Sequence, residues 1–340
     1  MRFSLLDRSR TRAGQPEGQA LHDTVARARR AESLEFERFW VAEHHGVPGV
    51  AGGSPAVLLA AIGQVTQRIR LGSGGVMLPQ HQPLVVAEQF RILEALYPGR
   101  VDLGVGRSLG FTPAVRRALR REEASMDDFE ADLLELRDYL DDAATVTAHP
   151  VASPAPIFAL ATKAGIASAA RLGLPVVIGG PVVSGPELRT TLAEYRESFQ
   201  PSGSPTGVTA PRVTLALDVF VGDDERRARE LALPEAWATI RTRRTGEFGP
   251  LESPERILAQ DWSPRIQQRV DAQLAHVVLG TVDQVAERLR RLVDESGADE
   301  IMATTSTYDL ADLAELDEAL MQVRRLLGGD APASAVAPVS

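Results

Sequence analysis

Residues 38–110 read RFWVAEHHGVPGVAGGSPAVLLAAIGQVTQRIRLGSGGVMLPQHQPLVVAEQFRILEALYPGRVDLGVGRSLG, and this stretch decides the fold. Three short runs, 38–45, 69–78 and 101–107, have the apolar, β-branched and aromatic character of strands, and two helical runs separate them. Ser54-Pro55 starts the first helix, with Ser at the N-cap and Pro at the first helical position. The Pro98-Gly99 turn closes the second. The first strand ends in His44-His45, the second carries Gly74-Gly75 and the third ends in Arg107. A buried strand chooses none of these for packing. Such residues at the carboxyl ends of successive strands in a β-α-β-α-β series are the layout of a βα-barrel's active face.

The alternation continues on both sides. Further strands are expected at 3–6, 157–161, 175–178, 213–221 and 300–304, which brings the total to eight. Helices are expected at 18–36, 125–140, 165–172, 187–199, 281–296 and 310–327, with another beginning at 223. The clearest is 125–140, where Phe129, Leu133, Leu136 and Leu140 fall at helical spacing. Thr281 and Gln284 form a capping box at the start of 281–296. Eight strands alternating with helices predict a closed (β/α)8 TIM barrel with insertions rather than a doubly wound sheet. A single domain over 1–327 follows. The stretch 244–276, with Gly246, Pro250, Pro254 and Pro264, reads as irregular and is expected to be a lid insertion. The Ala/Pro/Ser-rich tail, 328–340, is expected to be disordered.

Composition narrows the function. Net charge is −9 over 340 residues, which argues against a nucleic-acid partner, since phosphate binding needs a basic face. Cysteine is absent, so disulfides, thiolate nucleophiles and Cys-based metal sites are excluded. The start, MRFSLLDRSR, lacks a signal-peptide core, and no apolar run is long enough to span a membrane. A soluble cytoplasmic protein is expected.

The candidate site residues lie where strands end. Successive strand residues face opposite ways, so one of His44 and His45 is expected in the pocket, and the alternative is packing or hydrogen bonding. Glu43, the two histidines and His81 hold metal-ligand types, but no HExxH or comparable spacing joins them, and no metal is expected. Gly72, Gly74 and Gly75 admit two readings: a bulge or tight packing, or close approach of a flat ligand to bare backbone. The run GVGRSLG at 104–110 fails the GxGxxG spacing. Arg107 reads instead as an anion ligand, because guanidinium pairs bidentately with phosphate, with a surface ion pair as the alternative. At 161–165, ATKAG exposes a helix's first N–H groups to an anion, and Thr162 and Lys163 add a hydroxyl and a charge. The alternative there is a solvated turn.

Together, WVAEHH at 40–45, LGSGGVMLP at 71–79, VVAEQF at 85–90 and LYPGRVDLGVGR at 96–107 resemble the bacterial luciferase-like family of flavin-dependent monooxygenases. The likeness is dense over 1–110, recurs in AARLGLP at 169–175 and YRESFQPS at 195–202, and is thin over 226–276. The resemblance implies a luciferase-like TIM barrel with reduced FMN across its mouth. There the flavin reacts with O2 to give a C4a-hydroperoxide that oxygenates a hydrophobic organic substrate. It implies that Gly74-Gly75, joined by a non-prolyl cis peptide, lies under the isoalloxazine. It also implies that Arg107 holds the FMN phosphate, with Thr162 and Lys163 near it, and that His44 is the acid/base group beside the flavin. A separate NAD(P)H:flavin reductase and a homodimer are implied as well. Two departures are visible. The family's serine-rich phosphate loop is here ATKAG, and Pro113 stands where the luciferase α chain has an Asp, so light emission is not implied. The alternatives are hydride transfer with F420 on the same barrel, and a non-catalytic flavin-binding protein.

Overall fold

The computed structural model describes residues 1–328, apart from the side chains of Lys163, Pro181, Arg244 and Thr245. The expected disordered tail lies outside the described residues beyond Gly328. The first half of the chain forms β1 (Arg2–Asp7), α1 (Gln19–Ser33), β2 (Arg38–Val41), α2 (Pro55–Val65), β3 (Arg70–Ser73), β4 (Val76–Met77), α3 (Pro83–Leu96), β5 (Val101–Gly106), α4 (Pro113–Ala118) and α5 (Met126–Leu140). The second half forms β6 (Ile157–Leu160), α6 (Lys163–Arg171), β7 (Val176–Gly179), α7 (Leu188–Glu197), β8 (Val213–Leu217), β9 (Val219–Val221), α8 (Glu225–Thr245), α9 (Pro254–Leu258), α10 (Pro264–Leu274), β10 (Val278–Gly280), α11 (Val282–Ser296), β11 (Glu300–Ala303) and α12 (Leu310–Leu326).

The strands β3-β2-β1-β11-β8-β7-β6-β5-β4 form one sheet, parallel throughout, and β3 also pairs with β5, so the sheet closes. β3 and β4 make one stave, which gives the eight-stave barrel expected from the sequence. Side chains alternate across its wall, as strand geometry requires. Phe3, Leu5, Phe39, Leu71, Leu103, Ile157 and Ile301 belong to the main core cluster shared with the surrounding helices. Leu6, Trp40, Phe158, Val177 and Met302 form a second cluster. At the amino-terminal ends of the staves, Arg38 pairs with Asp102 at 2.6 Å and with Glu300 at 3.1 Å, and Arg70 also reaches Asp102 at 2.6 Å. Arg38, Asp102 and Glu300 are buried but paired, and residues at this end of a barrel serve stability rather than chemistry. The other end is left free for chemistry.

Four local expectations need correction. The strand read at 38–45 stops at Val41, because Glu43 turns its carboxylate inward to bond His45, His81 and the Met77 amide. The strand read at 69–78 is two strands, separated by the cis Gly74–Gly75 peptide. The strand read at 213–221 breaks at Asp218, after which β9 leaves the barrel to pair with β10, a strand the sequence reading missed. The segment 244–276 is not irregular. Helix α8 runs through Pro234 to Thr245, and α9 and α10 follow. Trp237 of α8 stacks on Trp262, with ring centroids 5.7 Å apart and 5° between planes, and this packing overrides the local breakers. The capping box at Thr281 and Gln284 forms as expected, and Gly297 at φ 62° ends α11 in the left-handed conformation open to glycine.

Candidate active site

A cavity of about 980 Å³ opens at the carboxyl ends of the staves. The first residue or two after six of the eight staves reach its wall: Arg8 after β1, Arg107 after β5, Ala161 and Thr162 after β6, Gly180 after β7, Asp218 after β8 and Thr304 after β11. Between these polar points the wall is apolar, with Leu6, Met126, Phe129, Leu160, Val177 and Leu217. Arg243 of α8, Gln273 of α10 and His276 just after α10 extend it.

One side is suited to an anion. Arg107 is exposed and makes no ion pair among the described residues. Thr162 is the N-cap of α6, with extended backbone, and its side chain caps no N–H of the first turn. Those N–H groups are therefore donors without a side-chain partner, at the positive end of the helix dipole. Gly165 lines the same wall. Arg107 and Thr162 thus line one cavity. The side chain of Lys163 lies outside the described residues.

His44, Gly74 and Gly75 are not among the residues lining the cavity. A side chain on Gly74 would collide with Leu6, and one on Gly75 would meet the Gly104 carbonyl at 2.9 Å and Leu160 at 3.1 Å. Leu6 and Leu160 themselves line the cavity, so the glycine pair is packed directly behind its wall. His44 is half-buried. Burial, and then the nearby Arg8 and Arg10 guanidiniums, lower its pKa to about 4, so its imidazole is neutral at pH 7. Its Nδ1 is buried with no hydrogen-bond partner. The His44 ring lies 6.3 Å from Phe111, which stacks at 5.9 Å on Phe248 of the insertion, and Arg10 sits 4.1 Å over Phe248.

Glu43 has a different task from its neighbour. Its Oε1 accepts from Nε2 of His45 and from Nε2 of His81, both at 2.6 Å, and its Oε2 accepts from the Met77 amide at 2.9 Å. Burial pushes its pKa up, but these bonds outweigh that and hold it down at about 2. The three side chains bring their donor atoms within 4.8 Å of one another, a grouping that no local spacing foretold. Each histidine spends its Nε2 on the carboxylate, so the arrangement is a clamp joining the end of β2 to β4 and to the turn before α3.

The sequence reading also missed the polar side of the cavity beyond β8. Arg8 donates through Nη2 to Asp218 Oδ1 at 2.6 Å and through Nη1 to Glu235 Oε1 at 2.5 Å, and Glu235 accepts from Arg10 Nε at 2.9 Å. Thr304 donates its hydroxyl to Asp218 Oδ1 at 2.5 Å. Sequence rules could not have marked them, because 213–221 reads as one strand with Asp218 inside it and 300–304 as one that includes Thr304; only the observed ends of β1, β8 and β11 put Arg8, Asp218 and Thr304 just beyond the staves.

A family profile described as luciferase-like monooxygenase matches residues 1–300. The chain belongs to the luciferase-like monooxygenase family. A luciferase-like monooxygenase of Escherichia coli is 35% identical over 335 residues, covering 96% of this chain and 98% of its own length. The N-acetyl-S-alkylcysteine monooxygenase of Bacillus subtilis is 34% identical over 305 residues, covering 86% of this chain and 89% of its own. The solved structure of apo-MsnO8 superposes with a TM-score of 0.84 at 30% identity, over 96% of this chain and 98% of that one. Two structures share the fold alone. The oxygenating constituent of 3,6-diketocamphane monooxygenase from Pseudomonas putida, in complex with FMN, has a TM-score of 0.73 at 16% identity, over 96% of this chain and 98% of that one. An F420-dependent secondary alcohol dehydrogenase has a TM-score of 0.66 at 15% identity, with the same two coverages. An enzyme of the luciferase-like monooxygenase class is thereby established. Among the described residues, no helix is long and apolar enough to cross a membrane.

Proposed function

We propose that this chain is a two-component, FMN-dependent monooxygenase, which takes reduced flavin from a separate NAD(P)H:flavin reductase and oxygenates a hydrophobic organic molecule with O2. The observation that carries this reading is one cavity with an anion-binding side, Arg107 and Thr162 at the start of α6, opening onto a largely apolar chamber. A flavin mononucleotide needs both: a phosphate anchor and an apolar surface for its ring. The residues fit that group. Arg107 and Thr162 would hold the phosphate, and the wall formed by Leu6 and Leu160 in front of Gly74 and Gly75 would carry the ring. Bound reduced flavin supplies the two electrons that activate O2.

The protein's own part is binding, water exclusion and proton transfer. His44, neutral at pH 7 and with an Nδ1 that no protein group occupies, is the proton acceptor in this reading, although its ring lies behind the cavity wall rather than in it. The insertion, through Phe248 stacked on Phe111, serves as a lid that keeps water from the reacting centre. The missing GxGxxG fingerprint supports a separate source of reduced flavin. Exposed Val57, Val85, Ile92 and Leu96 on the adjoining helices α2 and α3 support pairing with a second copy of the chain. The test is incubation with a flavin reductase, NADH, FMN and a panel of aromatic and aldehyde substrates. The expected result is O2 uptake with products heavier by one oxygen, and loss of product by at least ~10²-fold in His44→Ala, the usual scale for positioned proton transfer. Turnover with reduced F420 and no oxygen uptake would replace this reading with hydride transfer.

A further inference from the structure

We propose that Asp218, held by Arg8 and Thr304, is the substrate-recognition group of the cavity and selects a neutral organic molecule that carries a hydroxyl group. The inference rests on the monooxygenase reading of the cavity. It goes beyond that reading by naming the polar feature the substrate must bear.

Asp218 follows the last residue of β8 and lines the cavity with 29% of its side chain exposed. Its position is locked twice. Its backbone carbonyl accepts the Val278 amide at 3.0 Å, where β10 joins β9, and its Oδ1 accepts from both Arg8 and Thr304. Oδ2 has no protein partner among the described residues. An ionised carboxylate offers about two acceptor sites on each oxygen. Oδ2 is therefore an acceptor open to a ligand, set beside the apolar Leu6 and Leu217 of the same wall.

Charge decides the class of ligand. Arg8 and Arg10 are balanced by Asp218 and Glu235, so the cluster is neutral as a whole. An anionic substrate group would face the free carboxylate oxygen. A cationic one would face Arg8, already 2.6 Å from that carboxylate. A neutral hydroxyl meets neither repulsion and donates to Oδ2. The site is also distinct from the phosphate anchor, because β6 and β7 stand between the stave of Asp218 and that of Arg107. A site built to accept from a substrate hydroxyl discriminates against the analogue without it, because its acceptor is then left unpaired.

The test is calorimetric titration with 4-propylphenol, propylbenzene and 4-propylanisole, on the protein with and without FMN. Wild type is expected to bind the phenol at least ~10-fold more tightly than either analogue, the scale of a hydrogen bond to a charged acceptor. Asp218→Leu should abolish that preference. Asp218→Asn, which keeps an acceptor for Arg8 and presents an N–H to the cavity, should abolish it too, and carries the test if the leucine variant does not fold. Equal affinity for the three compounds, binding of none, or a preference that survives in either folded variant overturns the proposal. Failure of FMN to bind would instead count against the flavin reading, since the phenol preference is measured without it as well.

Discussion

His44 should titrate near pH 4, and the consequence can be measured in stability as well as in rate. Its ordinary pKa is 6.5, and burial with the Arg8 and Arg10 guanidiniums lowers it to about 4 in the folded protein. As pH falls below 6.5, the unfolded chain takes up the proton first, so stability declines until the folded histidine titrates near 4 and then levels off. At ~1.36 kcal/mol per pH unit, the gap amounts to about 3 kcal/mol, a ceiling because the ring keeps some exposure. Urea unfolding of wild type and His44→Asn at pH 7, 5.5 and 4 isolates the contribution: the variant should lose less stability on acidification, by up to about 3 kcal/mol. Glu43 does not confuse the measurement. Its pKa is held down at about 2 from 4.5, so its stabilisation is lost only between those two values, largely below the histidine window. Isotope-labelled histidine followed by NMR gives the pKa directly. A His44 resonance titrating between pH 6 and 7, or an equal loss of stability in wild type and variant, would refute the reasoning and would make His44 a partly charged acid at neutral pH.

Further outcomes follow from the same geometry. Arg107→Ala should weaken FMN binding by about 1.5–3 kcal/mol, the scale of a hydrogen bond to a charged group, and unchanged affinity in anaerobic titration would remove Arg107 from the phosphate site. Glu43→Ala should destabilise the fold by about 1.5–3 kcal/mol in urea unfolding, because the buried Met77 amide, His45 and His81 all lose their shared acceptor. Wild-type stability in that variant would show that the clamp holds nothing. Phe248→Ala should raise uncoupled H2O2 release during turnover while the thermal midpoint moves little; coupling equal to wild type would count against a lid.

The barrel was legible because its signals are local. Alternation along 101–107, helical spacing from Phe129 to Leu140 and the Thr281–Gln284 box each depend on residues a few places apart, and the structure repeats them. Arg107 and Thr162 could be marked for the same reason, since each follows a strand. Local rules misled where packing outweighed them: Pro234 does not end α8, and Asp218 splits a run that reads as one strand. The assignment of His44 and His45 to opposite faces assumed an extended strand. The strand ends at Val41, and the two rings are separated instead by what they touch, His45 meeting Glu43 and His44 lying among Arg8, Arg10 and Phe111.

By itself, then, the sequence determined the eight staves and the family, and marked Arg107 and Thr162 as residues beyond strand ends, since periodicity, caps and short motifs act within a few residues of chain. Tertiary structure alone decided the rest. Glu43 meets His81 across 38 residues, Arg8 meets Asp218 across 210 and Glu235 across 227, and no local pattern selects those partners. They become neighbours only when β1, β11 and β8 lie side by side in the barrel and α8 brings Glu235 to Arg8, which sets the charges close enough to lower the pKa of His44 and to hold the carboxylate of Asp218.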